Sequence, residues 1–294
     1  MFWLITANGF AFQWPVENKV LTATFCENRR NHFHGGIDLG GGEQEIHPIE
    51  DGEIIFYYDT RQSAGAIPTG LGNFVVVEHP RGIRSTYAHI KDDTLRVDNY
   101  LVEKKDMLGI IGETGASMGK HLHFEVADKE LRQIVNPLRL LPELADKSSP
   151  TINELLLIEG DYTGQLTSSI PLLKSYSPKS GDSISAGTWT ILLEVYDLSE
   201  YVSYFCPMSP YRLQVYLNGQ MARSLVYDGL GEKDGRLEFI QAQDVSFSTF
   251  YLDDWLVNVG QITIPEGAVM MELVASDYAG NETSRMVSLV ATRP

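Results

Sequence analysis

Cysteine is nearly absent from this 294-residue chain: Cys26 and Cys206 are the only two, 180 residues apart. Two isolated thiols make neither a disulfide framework nor a cysteine zinc site. The strict geometry of a disulfide also argues against a bridge between them. Positive charge is scarce as well. With 23 Lys and Arg against 39 Asp and Glu, the formal net charge is -16, which argues against a nucleic-acid binder, for which basic patches are expected. No apolar run reaches the length needed to span a bilayer. No helical period survives over a long window, and there is neither an internal repeat nor a low-complexity segment.

What is present describes a folded protein with a sizeable core. Hydrophobic residues make up 43% of the chain and charged residues 21%, and the length suffices for two ordinary domains. The first residues, Phe2 to Ala7, are apolar but short. Gly9-Phe10-Ala11 offers the small-x-small pattern of a signal-peptidase site, although no positively charged segment precedes it. Residues 1–11 are therefore expected to be the remnant of an export signal, the alternative being an apolar first strand.

From Phe12 to about Leu141 the chain reads as short strands separated by glycine turns. Asp51-Gly52 leads into a strand at Glu53 to Tyr58. Asn73 to His79 and Ile83 to His89, joined by Pro80-Arg81-Gly82, form a hairpin. Leu108 to Gly112 is a buried strand, and Gly115 to Gly119 is a small-residue loop before another strand. Lys147-Ser148-Ser149-Pro150 is polar, small and proline-ended, as linkers are. Beyond it, Trp189 to Tyr196, Tyr211 to Leu217 and Val269 to Ala275 are strand candidates. Asn218-Gly219 is a hairpin signal, and Asp277 to Thr283 is a turn. The expected fold class is all-β: an antiparallel domain at 12–146, a linker at 147–150 and a β-sandwich at 151–294.

The chemistry concentrates in two stretches, Phe33-His34-Gly35-Gly36-Ile37-Asp38 and Gly119-Lys120-His121-Leu122-His123-Phe124-Glu125. Side chains in a strand repeat every two residues, so His121 and His123 share a face, as do Tyr87 and His89. His34 and Asp38 also have same-face spacing, and the glycines around them argue against a helix. His34, Asp38 and one histidine of the His-x-His pair supply three protein ligands, leaving a fourth zinc position for water. Such a zinc lowers the pKa of its water to about 7. The spare histidine and His89 suit proton transfer and oxyanion stabilisation. Any one of these histidines alone reads as a structural residue. Five such groups at separate strand ends do not read that way jointly.

Residues 14–142 resemble the lysostaphin-like, or LytM-like, zinc metallopeptidases of bacteria, which cut peptide cross-links in peptidoglycan. The resemblance rests on Trp14-Pro15-Val16, His34-x-x-x-Asp38, Asp51-Gly52, Gly72-Asn73 and Tyr87-Ala88-His89. It continues through Gly112-x-Thr114-Gly115, His121-Leu122-His123-Phe124-Glu125 and Asn136-Pro137. It implies a peptidase domain with a loop-lined groove, zinc held by His34, Asp38 and His123, and His89 with His121 as the catalytic pair. Asn73 is a candidate for positioning substrate. Cys26 stands where the family usually has glycine, and is expected to be a small buried residue. The loop from Asp59 to Leu71 looks longer than typical and is expected to line the cleft. His47 and His79 are expected to be structural, and His32 to lie on a rim.

The Asp277-x-x-Gly280-Asn281 turn looks like those of bacterial immunoglobulin-like modules, with Asp277 capping the turn rather than binding calcium. The function implied is an exported zinc endopeptidase of the periplasm or cell envelope, with peptidoglycan as substrate, no integral membrane segment and a C-terminal domain available to a protein partner. Two alternatives keep the fold and change the function. One is a non-catalytic envelope protein that binds cell wall or a partner; the other is a peptidase of the same chemistry acting on a different peptide.

Overall fold

The computed structural model describes residues 12–61, 69–160, 175–233, 235–240 and 247–293. The expected signal remnant at 1–11 lies outside the described residues, as do positions 62–68 of the loop from Asp59 to Leu71. Strands dominate what is described, and among the described residues no helix is long and apolar enough to cross a membrane. In chain order the first ten strands are β1 (Val20–Ala23), β2 (Gly36–Gly40), β3 (Glu45–Ile46), β4 (Gly52–Tyr58), β5 (Phe74–Glu78), β6 (Ile83–Ala88), β7 (Leu101–Val102), β8 (Gly109–Ile110), β9 (Leu122–Asp128) and β10 (Gln133–Val135). The remainder are β11 (Thr151–Glu159), β12 (Asp182–Ser185), β13 (Gly187–Leu198), β14 (Pro207–Met208), β15 (Arg212–Leu217), β16 (Gln220–Val226), β17 (Gly229–Lys233), β18 (Arg236–Phe239), β19 (Leu256–Ile264), β20 (Gly267–Ser276) and β21 (Glu282–Thr292).

The chain divides into two compact units. One holds Met1–Val20, Asp38–Leu131 and Pro137–Leu144; the other holds Leu21–Ile37, Arg132–Asn136 and Ala145–Pro294. In the first, β7, β4, β5, β6 and β9 form consecutive antiparallel neighbours. Opposed residues in such a ladder share a face. Val75 lies opposite Tyr87 and Tyr87 opposite Phe124, and all three are buried. The other face carries the row Phe56, Val76, Thr86 and Glu125, each opposite the next. Burial follows the strand period: Val75, Val77, Ser85 and Tyr87 are buried, while Phe74, Val76, Arg84 and Thr86 on the other face are only partly so.

A buried polar chain pins this core. Tyr87 accepts the Ile49 amide at 2.9 Å and the Ser85 hydroxyl at 2.8 Å, while Ser85 meets His79 Nε2 at 2.6 Å. Burial, opposed by the nearby Asp51 carbonyl, leaves the His79 pKa lowered. His79 is structural, as expected. The Gly72 and Thr114-Gly115 motifs meet in space. A Cβ on Gly72, at φ +64°, falls 2.4 Å from the Thr114 carbonyl carbon, and one on Gly115 falls 2.3 Å from the Gly72 nitrogen. Only glycine permits that approach.

In the second unit, β11, β13, β14 and β19 form one antiparallel sheet, and β12, β21, β20, β15 and β16 form another that is antiparallel except for the parallel β12–β21 pair. Their alternating apolar residues share one core, including Trp189, Ile191 and Leu193 from β13 and Val269, Met271 and Leu273 from β20. The Asn218-Gly219 turn has φ values of 50° and 77°, the paired positive angles that a two-residue hairpin of matching twist requires.

The linear boundary expected between domains is not where the contacts divide. Residues 21–37, read as part of the first domain, pack into the core of the second unit. Phe33 is 2% exposed and lies 4.9 Å from Phe239 and 5.0 Å from Phe247 between ring centroids. Tyr251 donates its hydroxyl to the Cys26 carbonyl at 2.6 Å, and Thr24 donates to the Ser209 carbonyl at 2.9 Å. Cys26 is wholly buried in this core and Cys206 donates to the Thr22 carbonyl, so both cysteines are free thiols. Local pattern could not show this, because Phe25 and Phe33 read equally well as core residues of either unit.

Asp277 caps its turn as expected, accepting the Asn281 amide at 2.9 Å. Its carboxylate also lies within 4.8 Å of those of Asp146 and Asp197. Burial pushes the Asp197 carboxyl up to about 7, against the opposing Leu198 amide bond, and Asp146 and Asp277 add to the rise.

Two measurements test this packing. Phe33→Ala should cost roughly 3–5 kcal/mol in denaturant unfolding. For Asp197, the folded pKa stands above the unfolded one, so its contribution to stability is lost as pH rises from about 4 to about 7. Thermal melts of Asp197→Asn should lack that component and gain most over the wild-type chain at pH 7 and above.

Candidate metal centre

Strand β2 carries Asp38 and pairs with β9, which carries His123. His34 stands two residues ahead of β2, in a segment tied at both ends: Cys26 N donates to the His34 carbonyl at 2.8 Å and His34 N to the Glu27 carbonyl at 2.8 Å. Ligand atoms of His34, Asp38 and His123 lie within 4.8 Å of one another. All three residues are at most 9% exposed. The structure thus brings together the expected ligand set.

The imidazole orientations can be read from the hydrogen bonds. His34 Nδ1 lies 2.8 Å from the Thr24 carbonyl. A carbonyl only accepts, so Nδ1 carries the proton and Nε2 is the nitrogen with the lone pair. His123 is turned the other way. Its Nε2 meets Glu125 Oε1 at 2.9 Å and its Nδ1 meets Asp38 Oδ1 at 2.9 Å. Burial disfavours charge on His123, yet its hydrogen bonds to the Asp38 and Glu125 carboxylates outweigh it and raise the pKa to about 9. The charged ring thus donates Nδ1–H to Asp38 and Nε2–H to Glu125, and a metal held by Nδ1 would take the place of the first of these protons.

This donor set fits zinc. Two imidazoles and one carboxylate, each imidazole held through its second nitrogen by a carbonyl or carboxylate, make a three-ligand site of the kind zinc occupies in hydrolases. Glu125 is the residue that motif reading left without a role. The signal was in the sequence, since Glu125 follows His123 by two and so shares its face.

His89 and His121 flank the group. Their ring centroids are 4.7 Å apart, and His89 lies 5.9 Å from His123. His121 precedes β9 rather than lying in it. Its Nδ1 is 2.9 Å from the Gly119 carbonyl and 3.2 Å from Ser117 Oγ, while its Nε2 is 3.7 Å from Asp38 Oδ1. His89 follows β6 with a φ of +59°, an uncommon conformation for a residue with a Cβ. Its amide donates to the Leu71 carbonyl at 2.9 Å and its Nδ1–H to the Thr114 carbonyl at 2.7 Å. Burial, then the neighbouring His121, pushes the His89 pKa down to about 4. At neutral pH His89 is an uncharged acceptor at Nε2.

Other candidates are placed elsewhere. Asn73 was expected to position substrate, but its amide is fully used within the fold. Its oxygen accepts from Thr60 N and Thr60 Oγ1, both at 2.8 Å, and its nitrogen donates to the Ile90 carbonyl at 3.2 Å and Asp92 at 2.9 Å. Two lone pairs and two protons are thereby spent, so Asn73 ties two loops together instead. His47 meets the Asp106 carbonyl at 3.0 Å and is structural. His32 is exposed and adjoins Asn31.

Comparison with known proteins agrees with the geometry. Residues 32–137 match the model of Peptidase family M23. A second family model, without a descriptive name, matches residues 150–292. The DD-carboxypeptidase/endopeptidase Mpg of Neisseria meningitidis is 36% identical over 123 residues, covering 40% of this chain and 26% of Mpg. The cell division protein DipM of Caulobacter vibrioides is 24% identical over 155 residues, covering 52% of this chain and 22% of DipM. A zinc-containing peptidase from Vibrio cholerae aligns in structure with a TM-score of 0.36 and 25% identity, over 46% of this chain and 41% of that one. The chain thus spans about a quarter of the curated relatives it matches.

Metal binding tests the centre directly. Purified protein should take up one equivalent of zinc, and His34→Ala, Asp38→Asn or His123→Ala should abolish uptake. Glu125→Gln should weaken affinity by about 10- to 100-fold. Because the ion displaces the His123 proton, affinity in chelator competition should rise with pH up to about 9 and level off above it.

Proposed function

Because residues 32–137 carry a Peptidase family M23 domain, we propose that this chain is an exported zinc-dependent endopeptidase that hydrolyses peptide cross-links of bacterial peptidoglycan. The observation that carries this reading is the complete constellation: three ligand side chains converging, with two further histidines whose Nδ1 protons are both held by carbonyls. Bound zinc supplies a Lewis acid for the scissile carbonyl and lowers the pKa of water at its open position.

The chain's own residues supply the proton transfers. His89 presents Nε2 as a neutral acceptor, since Thr114 holds its other nitrogen and burial suppresses its charge. His121 turns Nδ1 to the Gly119 carbonyl and Nε2 toward Asp38. One of the pair takes the proton from water; the other stabilises the oxyanion that develops as the carbonyl carbon becomes tetrahedral. The αL backbone of His89 and the glycine contact between the Gly72 and Thr114 loops fix where that imidazole sits. Placement in the periplasm or cell envelope follows from the substrate. The sandwich of the second unit is read as an immunoglobulin-like module that positions the enzyme or engages a protein partner.

The test is digestion of purified peptidoglycan by the zinc-loaded chain, with released fragments identified by mass spectrometry. His89→Ala and His121→Ala should retain zinc and lose about 10²- to 10⁴-fold in rate. Asp38→Ala should lose both zinc and activity. Undiminished cleavage by His121→Ala and Asp38→Ala together sinks the mechanism. Binding to cell wall without cleavage at saturating zinc selects the non-catalytic reading.

A further inference from the structure

His121 is held differently from the other histidines of the centre. It stands one residue ahead of β9, just past the loop from Gly115 to Gly119. His89 takes its carbonyl partner from Thr114, in a loop closed by the Gly72–Gly115 contact. His121 takes its carbonyl from Gly119. Glycine has the widest backbone freedom of any residue, and a Cβ placed on Gly119 would meet nothing within 4 Å. Packing on that side therefore does not fix its peptide. The segment is tied at its two ends, by the Ala116 amide on the Gly70 carbonyl at 2.8 Å and the His121 amide on the Gly112 carbonyl at 3.2 Å. Between those ties, Lys120 Nζ lies 2.6 Å from Glu43, an exposed ion pair of the kind that holds weakly. Met118 is fully exposed and adds no packing. Among the described residues the remaining tie is Ser117. Its hydroxyl donates to the Gly119 carbonyl at 2.5 Å and accepts the Gly119 amide at 3.3 Å and His121 Nδ1–H at 3.2 Å. One proton and two lone pairs are the whole capacity of a hydroxyl, and all are spent on Gly119 and the ring it orients.

We propose that Ser117 is a positioning residue for His121, its hydroxyl fixing the Gly119 carbonyl that aims the imidazole at the metal centre. This rests on the peptidase reading above, which gives His121 a share in proton transfer or oxyanion stabilisation. With Nδ1–H committed to Gly119 and Ser117, the ring keeps Nε2 on the side of Asp38, 3.7 Å from its Oδ1. A half-turn about the Cβ–Cγ bond would set Cδ2 against the Gly119 carbonyl and exchange the places of Nε2 and Cε1. Ser117 opposes that turn in two ways. It holds the carbonyl still, and it accepts the same Nδ1 proton itself. A reacting group misplaced by about 1 Å can lose about 10²-fold in rate, so a hydroxyl with no substrate contact of its own sets kcat through the ring it steadies.

The experiment compares the full zinc-loaded chain with its Ser117→Ala and Ser117→Thr variants, with zinc content and melting temperature read alongside to establish folding. Ring-nitrogen NMR at neutral pH follows the Nδ1–H resonance of His121, assigned by its loss in His121→Ala. This readout does not depend on catalysis. Steady-state cleavage of a soluble cross-linked peptide dimer then separates kcat from KM. Ser117→Ala should broaden or erase the Nδ1–H resonance through faster exchange with water. It should also lower kcat by about 10- to 100-fold while KM stays within about threefold. Ser117→Thr, which keeps the hydroxyl, should restore both. An unchanged resonance or an unchanged kcat in Ser117→Ala overturns the proposal, and so does equal loss in the Ala and Thr variants. A rise in KM at constant kcat assigns Ser117 to substrate contact and overturns it as well. A wild-type chain that cleaves nothing, with the resonance lost in Ser117→Ala and kept in Ser117→Thr, overturns the peptidase reading and leaves the positioning of His121 standing.

Discussion

Everything at the candidate centre depends on where the proton of His123 goes. The imidazole lies between two carboxylates, Asp38 at Nδ1 and Glu125 at Nε2. Buried almost completely, it would be neutral on its own; between those anions it is held charged. A divalent ion held by Nδ1 would satisfy Asp38 better than one proton can, while Glu125 fixes the ring through Nε2. The centre is thus a place where burial is tolerable only because a cation, proton or metal, completes it.

The remaining histidines are tuned in the opposite direction by the same burial. His89 has no carboxylate in hydrogen-bond contact, and the backbone carbonyl of Thr114 does not compensate for desolvation and the His121 neighbour. Two imidazoles less than 6 Å apart, His89 and His123, therefore differ in charge at neutral pH. This separation gives one site both a ligand anchored by carboxylates and an uncharged acceptor. Backbone geometry maintains it. The Gly72 and Gly115 contact holds the Thr114 carbonyl where His89 can use it, and Asn73 spends its whole amide binding that loop to the turn at Thr60 and the chain at Ile90 and Asp92.

Much of this was legible in the sequence. Strand and turn signals located β4, β5, β6, β13, β15 and β20 within a few residues, because two-residue alternation and glycine punctuation are local properties. The His-x-His and His-x-x-x-Asp spacings located four side chains of the centre, and the separate hairpin that ends at His89 supplied the fifth. Glu125 was within the same reach and was passed over, since its role appears only when His123 is seen to have a second nitrogen requiring a partner. Asn73 illustrates the converse. A polar residue beside a site looks available until its hydrogen bonds are counted.

Sequence by itself determined the all-β character and the residue types that meet at the centre, because strand period and ligand chemistry are written in neighbouring residues. Tertiary structure alone decided the orientation of each imidazole, the shift of His123 up and His89 down, and the membership of residues 21–37 in the second unit's core. The physical reason is common to all of these. Each depends on which groups desolvate and face one another across strands distant in sequence, and the register that sets those encounters is fixed only when the sheets close.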